Sequence, residues 1–172
     1  MRIALLTDSH DHIPHTQKAV RCAQAMGAEI LVHCGDLISP FMLRHLAVFS
    51  GPVHLIYGNN AGDLHLITKM CLESFPTITH HGQCGAIETG GRRIAFVHYP
   101  QLARGLAAGG EYDVVCCGHT HRFQVETVGR TLLVNCGQLF GIEEEPGFAM
   151  LDCATLATER IVVARQVDIQ ED

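Results

Sequence analysis

Arg2-Ile3-Ala4-Leu5-Leu6-Thr7-Asp8-Ser9-His10 begins as a near-continuous apolar run and breaks on a carboxylate and an imidazole two residues apart. A run without polar alternation fits a central strand covered on both faces rather than one with a face in water. Asp8 ends it. Beyond, Pro14 suits a first helical turn, and Ala19, Cys22, Ala23 and Met26 recur at i, i+3, i+4 and i+7 until Gly27 stops the helix. The opening of the chain therefore reads as a strand, a polar loop and a helix, with the reactive groups in the loop.

The same unit recurs. Glu29 to Cys34 is a second strand stopping on Gly35-Asp36, Pro40 to Phe49 a helix, Pro52 to Tyr57 a third strand stopping on Gly58-Asn59-Asn60, and Asp63 to Phe75 a helix with Asp63 as N-cap. Such alternation implies parallel strands joined by crossover helices. After Pro76 the texture changes. Thr77 to Thr79, Gly85 to Glu88 and Arg92 to His98 are short strands, the last two joined across Gly90-Gly91, a favoured hairpin turn. Gln101 to Ala108 is a short helix and Tyr112 to Cys117 a strand. Gln124 to Val128 and Thr131 to Cys136 form a hairpin around Gly129-Arg130, and Phe148 to Asp152 with Arg160 to Val167 closes the chain. A parallel first half and a largely antiparallel second half predict an α/β fold of two packed mixed β-sheets flanked by helices. Residues 1–172 are expected to form a single domain, with 169–172 a frayed polar tail.

Composition narrows the function. The chain has 172 residues, is 47% hydrophobic and only 17% charged, and carries a net charge of -6 with histidine neutral, so it lacks the basic footprint of a nucleic-acid binder. No apolar run reaches membrane-spanning length. Eight cysteines include no CxxC pair, and Cys116-Cys117 would face opposite sides of a strand, so buried reduced thiols and a cytoplasmic location are expected.

The strand ends carry Asp8, His10, Asp36, Asn59, His98, His119 and His121. Such ends face the crevice where open α/β sheets bind ligands. The last two lie in Gly118-His119-Thr120-His121, directly after the strand ending at Cys117. Taken singly these residues are ordinary turn formers or hydrogen-bonded histidines. Together they are a mixed oxygen and nitrogen set suited to manganese, iron, zinc or nickel rather than to calcium or magnesium alone, and large enough for two ions. The two oxygens of the Asp36 carboxylate can serve different cations.

In this order the blocks Asp8-x-His10, Gly35-Asp36, Gly58-Asn59-Asn60, His98 and Gly118-His119-Thr120-His121 resemble the calcineurin-like metallophosphoesterases, and most of all their small cap-less phosphodiesterase branch. The resemblance runs from Arg2 to about Gly137. It implies an α-β-β-α sandwich and a hydrolase holding two divalent transition-metal ions, manganese first. One ion would take Asp8, His10, Asp36 and His121, the other Asp36, Asn59, His98 and His119. A hydroxide bridging ions roughly 3.5 to 4 Å apart would attack the phosphate ester in line. Asp36, Asn59 and His98 would take part in catalysis, with Asn60 orienting the substrate, a small phosphate ester and a diester before a monoester.

Three positions depart from the family pattern. Asn60 stands where many relatives carry a leaving-group histidine, Ala61-Gly62 lengthen that loop, and Tyr99 replaces a glycine after His98. Without a histidine at position 60, good leaving groups should be favoured unless His12 or another nearby histidine donates the proton. Asn135-Cys136-Gly137-Gln138 occupies the place of an Asn-Pro-Gly-Ser turn, so Asn135 should support the site. Arg122 is the nearest candidate for a phosphate contact, and Glu143-Glu144-Glu145 reads as a solvated loop. His33, His45, His54 and His65 are expected to pack or to face solvent, and His80-His81 to lie in a surface loop. Two other readings keep the same fold: a protein-binding scaffold, as in the family's retromer-subunit branch, which the intact ligand set disfavours, and a metal-binding sensor, which only turnover separates from an enzyme. A homo-oligomer is compatible with all three.

Overall fold

The computed structural model describes residues 1–142 and 144–163. Its first sheet is built on β1 (Arg2–Leu6), β2 (Ile30–His33), β3 (Val53–Leu55) and β4 (Ile78–His80), which run parallel in that spatial order. On the other side of β1 lie β10 (Gly147–Asp152) and then β11 (Thr158–Val162), each antiparallel to its neighbour. The second sheet has the order β5 (Cys84–Thr89), β6 (Arg92–Val97), β7 (Val114–Cys117), β9 (Thr131–Cys136) and β8 (Phe123–Val128).

The pleat of β1 explains the layering. Ala4 and Leu6 point outward into a core shared with helix α1 (Ile13–Ala25), through Ala19, Val20 and Ala23. Ile3 and Leu5 point inward, against Ile94, Phe96, Val114 and Cys116 of the second sheet. Both faces are dry, which is why the strand reads as an unbroken apolar run. On the far side, Ala95, Val97, Val115 and Cys117 pack against Ala103 and Ala107 of α4 (Pro100–Gly109). The layers are helix, sheet, sheet, helix, as expected.

Two details differ from the sequence reading. The second sheet has a parallel centre, because β6 reaches β7 through the crossover helix α4 and β8 folds outward, so that β9 returns parallel to β7. The antiparallel pairs sit at its two edges, at the Gly90-Gly91 and Gly129-Arg130 turns. The helix expected over Pro40 to Phe49 is instead a 3-10 turn, Pro40–Met42, followed by the four-residue α2 (Leu43–Leu46). Met42 N–H bonds to Ser39 and Phe49 N–H to Leu46, both three residues back, while Met42, Leu43, Leu46 and Phe49 are buried. Burial of this short segment, not helix propensity, sets its path.

The helix α3 (Leu64–Glu73) starts where expected, with Asp63 accepting from Leu66 N–H at 2.9 Å. All eight cysteines are unpaired thiols, and only Cys84 is exposed. Cys116 and Cys117 do face opposite cores. Among the described residues no helix is long and apolar enough to cross a membrane. The expected end of the last strand beyond residue 163, the tail 169–172 and Glu143 lie outside the described residues.

Candidate metal centre

All seven candidate ligands meet on the seam between the sheets. Asp8, His10, Asp36 and Asn59 follow β1, β2 and β3 of the first sheet, and His98, His119 and His121 follow β6 and β7 of the second. Asp8, Asp36 and His98 form the buried floor, at 0%, 2% and 2% exposure, while Asn59 and His119 lie at the open rim.

The backbone is bent to achieve this. Asp8, His10, Asp36, His119 and His121 have φ between 41° and 72°, in the left-handed region that side chains with a β-carbon disfavour. Asp11 shares it, and among the described non-glycine residues Leu156 alone does so away from the site. Left-handed residues persist where surrounding structure over-determines them. Here Asp11 accepts from both the backbone N–H and the hydroxyl of Ser39, tying the first loop to the second. Two glycines make room. A β-carbon at Gly58 would sit on the Asp36 carboxylate, and one at Gly118 on Thr7 Oγ1 and Asp8 Oδ2.

The polar atoms fall into two sets. Asp8 Oδ1 faces His121 Nε2 at 3.3 Å and His10 Nε2 at 3.7 Å, the two imidazole nitrogens lie 3.2 Å apart, and Asp36 Oδ2 is 3.5 Å from His10. In the second set, Asn59 Oδ1 lies 2.8 Å from both His98 Nε2 and His119 Nδ1, and Asp36 Oδ1 is 3.5 Å from His98 Nε2. Asp36 belongs to both.

Supporting contacts fix which atoms remain available. Asp8 Oδ2 accepts from Thr7 Oγ1 at 2.6 Å and from His119 N–H at 2.9 Å, leaving Oδ1 buried without a hydrogen-bond partner. His98 Nδ1 donates to the Cys34 carbonyl at 2.9 Å, so in the neutral ring Nε2 carries a lone pair. That lone pair meets the Asn59 and Asp36 oxygens, acceptor against acceptor. A cation relieves both the orphaned oxygen and this clash, so the residues present fit a metal. Asp8-His10-His121 and Asp8-Asp36-His98 each bring their donor atoms within 4.8 Å of one another.

Burial raises the Asp8 carboxyl, but the facing imidazoles of His10 and His121 and the Thr7 hydroxyl outweigh it and hold the group well below the usual carboxylate range. It stays an anion. His33, fully buried beneath the site, donates or accepts at Ser9 Oγ over 3.2 Å; burial pushes it down to about 4 against the pull of Asp8 and Asp36. It is a neutral packing group, as expected for this position.

Several expectations find their place. Asn60 clamps Asp36, its backbone N–H donating to Oδ1 and its side-chain amide to Oδ2, both at 2.8 Å. Asn135 supports the histidine loop through Gly118 O at 3.1 Å and Thr120 Oγ1 at 2.8 Å. His12 caps α1, accepting from His15 N–H through Nδ1 at 3.2 Å and stacking on His15. Burial and His15 lower its pKa. Arg122 is exposed. Glu144 pairs with Arg160 at 3.1 Å, so the acidic loop is partly anchored rather than wholly solvated. His80 and His81 are half-buried, not in a free surface loop, and His81 Nε2 lies 2.9 Å from His54 Nδ1.

Sequence reasoning missed Thr7 and Phe140. Thr7 was visible as a hydroxyl beside Asp8. Phe140 carried no linear signal, since only the return of the β9–β10 loop brings its ring to 4.9 Å from His10.

The model of the calcineurin-like phosphoesterase superfamily domain matches residues 1–156. A phosphodiesterase of Methanocaldococcus jannaschii is 29% identical over 169 residues, covering 95% of this chain and 99% of the relative. The solved structure of an archaeal phosphodiesterase is similar at a TM-score of 0.86 and 27% identity, over 94% of this chain and 99% of that one. Vps29 from Entamoeba histolytica, 17% identical over 94% of this chain and 98% of its own, shares the fold at a TM-score of 0.68.

Proposed function

The chain belongs to the calcineurin-like phosphoesterase superfamily, and from that premise we propose that it is a single-domain, metal-dependent phosphodiesterase with two divalent transition-metal ions, manganese first. The observation that supports this reading is Asp36, facing both sets of candidate ligands, beside a buried Asp8 oxygen that accepts no hydrogen bond. When bound, the ions supply an acidified water for in-line attack and charge neutralisation of the phosphoryl oxygens.

The chain's own residues do the rest. Asp8, His10, Asp36 and His121 hold one ion, and Asp36, Asn59, His98 and His119 the other. Asn60 orients the shared carboxylate, which adds a positioning role to its expected contact with substrate. Having no useful proton near neutral pH, it leaves departure of the ester group to that group's own acidity. Diesters of acidic alcohols are therefore the preferred substrates. Eight unpaired thiols suit a reducing compartment, here the cytoplasm.

The test is hydrolysis of bis(p-nitrophenyl) phosphate by metal-stripped protein during a Mn²⁺ titration, with Asp36→Ala alongside. Turnover that needs metal and disappears with Asp36 is the expected result. Bound metal without turnover on any ester would instead favour a metal sensor.

A further inference from the structure

The two ligand sets are flanked by aromatic rings that no metal needs. Tyr99, 37% exposed, sets its ring against both imidazoles of the second set, 5.3 Å from His98 and 4.9 Å from His119 between centroids, near-perpendicular to each. Phe140, half-buried, lies beside the first set, 4.9 Å from His10. The rings thus stand beside different sets, Tyr99 at the second and Phe140 at the first.

Both rings are carried on anchored backbone. Tyr99 follows the ligand His98 directly and is the N-cap residue of α4. Phe140 sits on a loop pinned on three sides: Leu139 N–H donates to Asp8 O at 3.1 Å, Leu139 O accepts from His15 Nδ1 at 2.8 Å, and Gln138 accepts from Gly141 N–H. Rings fixed in this way offer stacking surface at small entropic cost. The chemistry between them is equally one-sided. The floor holds two buried carboxylates, and the nearest cationic side chain in sequence, Arg122, is exposed.

Resting on the phosphodiesterase reading above, we infer that Tyr99 and Phe140 form an aromatic pair that selects phosphodiesters carrying a planar aromatic ester group over those carrying a short alkyl group. A ring stacked on one of them gains about 0.5–1.5 kcal/mol, which corresponds to a preference of up to roughly tenfold.

The experiment keeps the leaving group constant, comparing phenyl p-nitrophenyl phosphate with methyl p-nitrophenyl phosphate in the manganese-loaded enzyme. In parallel, calorimetry compares binding of phenylphosphonate and methylphosphonate, which needs no turnover. The expected result is an aryl preference of about two- to tenfold in KM and in Kd. That preference shrinks in Tyr99→Gly and in Phe140→Leu, which keeps the packing on His10 but loses the ring face, and is gone in the double variant. Tyr99→Phe retains it. Equal affinity for aryl and methyl compounds in the wild type, or a preference undiminished in the double variant, overturns the inference. A ring-dependent preference in binding without hydrolysis of either diester upholds the aromatic pair and overturns the phosphodiesterase reading instead.

Discussion

Two pairs of histidines in this molecule bring ring nitrogens to about the same distance, His10 and His121 at 3.2 Å and His54 and His81 at 2.9 Å. Around the first pair stand two buried carboxylates, an oxygen with no partner, and a backbone forced into the left-handed region. Around the second stands the Phe96 ring, and no carboxylate of the described residues acts on it. Burial, then its His81 neighbour, pushes His54 down to about 4, and His80 beside it likewise. The second pair is a neutral hydrogen bond. Imidazoles alone do not make a cation site; fixed negative charge, oriented by donors that leave one lone pair free, does.

The strongest way to break this contrast is to remove the shared charge. Asp36→Ala should lower metal-dependent kcat/KM by about 10³-fold or more, the equivalent of several kcal/mol of lost charge stabilisation, and should reduce the manganese stoichiometry measured by elemental analysis. Removing only the orientation is milder. Asn60→Ala leaves Asp36 in place but unclamped, and manganese affinity by titration calorimetry should weaken roughly 10- to 100-fold. Gly118→Ala tests the packing that lets Asp8 approach the histidine loop. Its β-carbon overlaps Thr7 and Asp8, and the urea midpoint should fall by an amount equivalent to about 1–3 kcal/mol.

The other pair sharpens the contrast by what it does not do. His81→Ala should leave both metal stoichiometry and turnover unchanged, and a loss of either would make that pair part of the centre. His54 and His80 should matter for acid stability instead. Their folded pKa, about 4, lies below the value near 6.5 of an unfolded chain, so the unfolded state binds more protons between these limits. Stability should therefore fall as pH drops from about 6.5 to about 4, with no further loss from these groups below that. Urea midpoints across this range should show a shallower decline in His54→Leu.

How far the sequence carried can be judged residue by residue. The parallel β1–β4 core and the layering were legible because both faces of β1 are dry, and period and burial are local properties. The seven candidate ligands were legible as one group because each stands where a strand stops. The parallel centre of the second sheet was not, because whether β9 joins β7 or only β8 is settled by pairing between distant segments. Asn60 was read as a substrate contact, yet its two bonds to Asp36 depend on the approach of β2 and β3 loops that no spacing encodes. The short Pro40 segment failed for the opposite reason: its apolar residues fit a helix, and tertiary packing chose tighter turns.

The five left-handed candidate ligands have a consequence for the life of the protein in a cell. Each holds its backbone in a conformation that an unfolded chain escapes at once, so the metal-free fold carries a standing cost at its centre. An ion that binds only this arrangement offsets that cost by mass action, by about 2.7 kcal/mol when its free concentration is a hundred times its Kd. Shortage of the ion would then thin the population of intact molecules through proteolysis of opened chains, not merely idle them, and the amount of this protein would follow the supply of its metal.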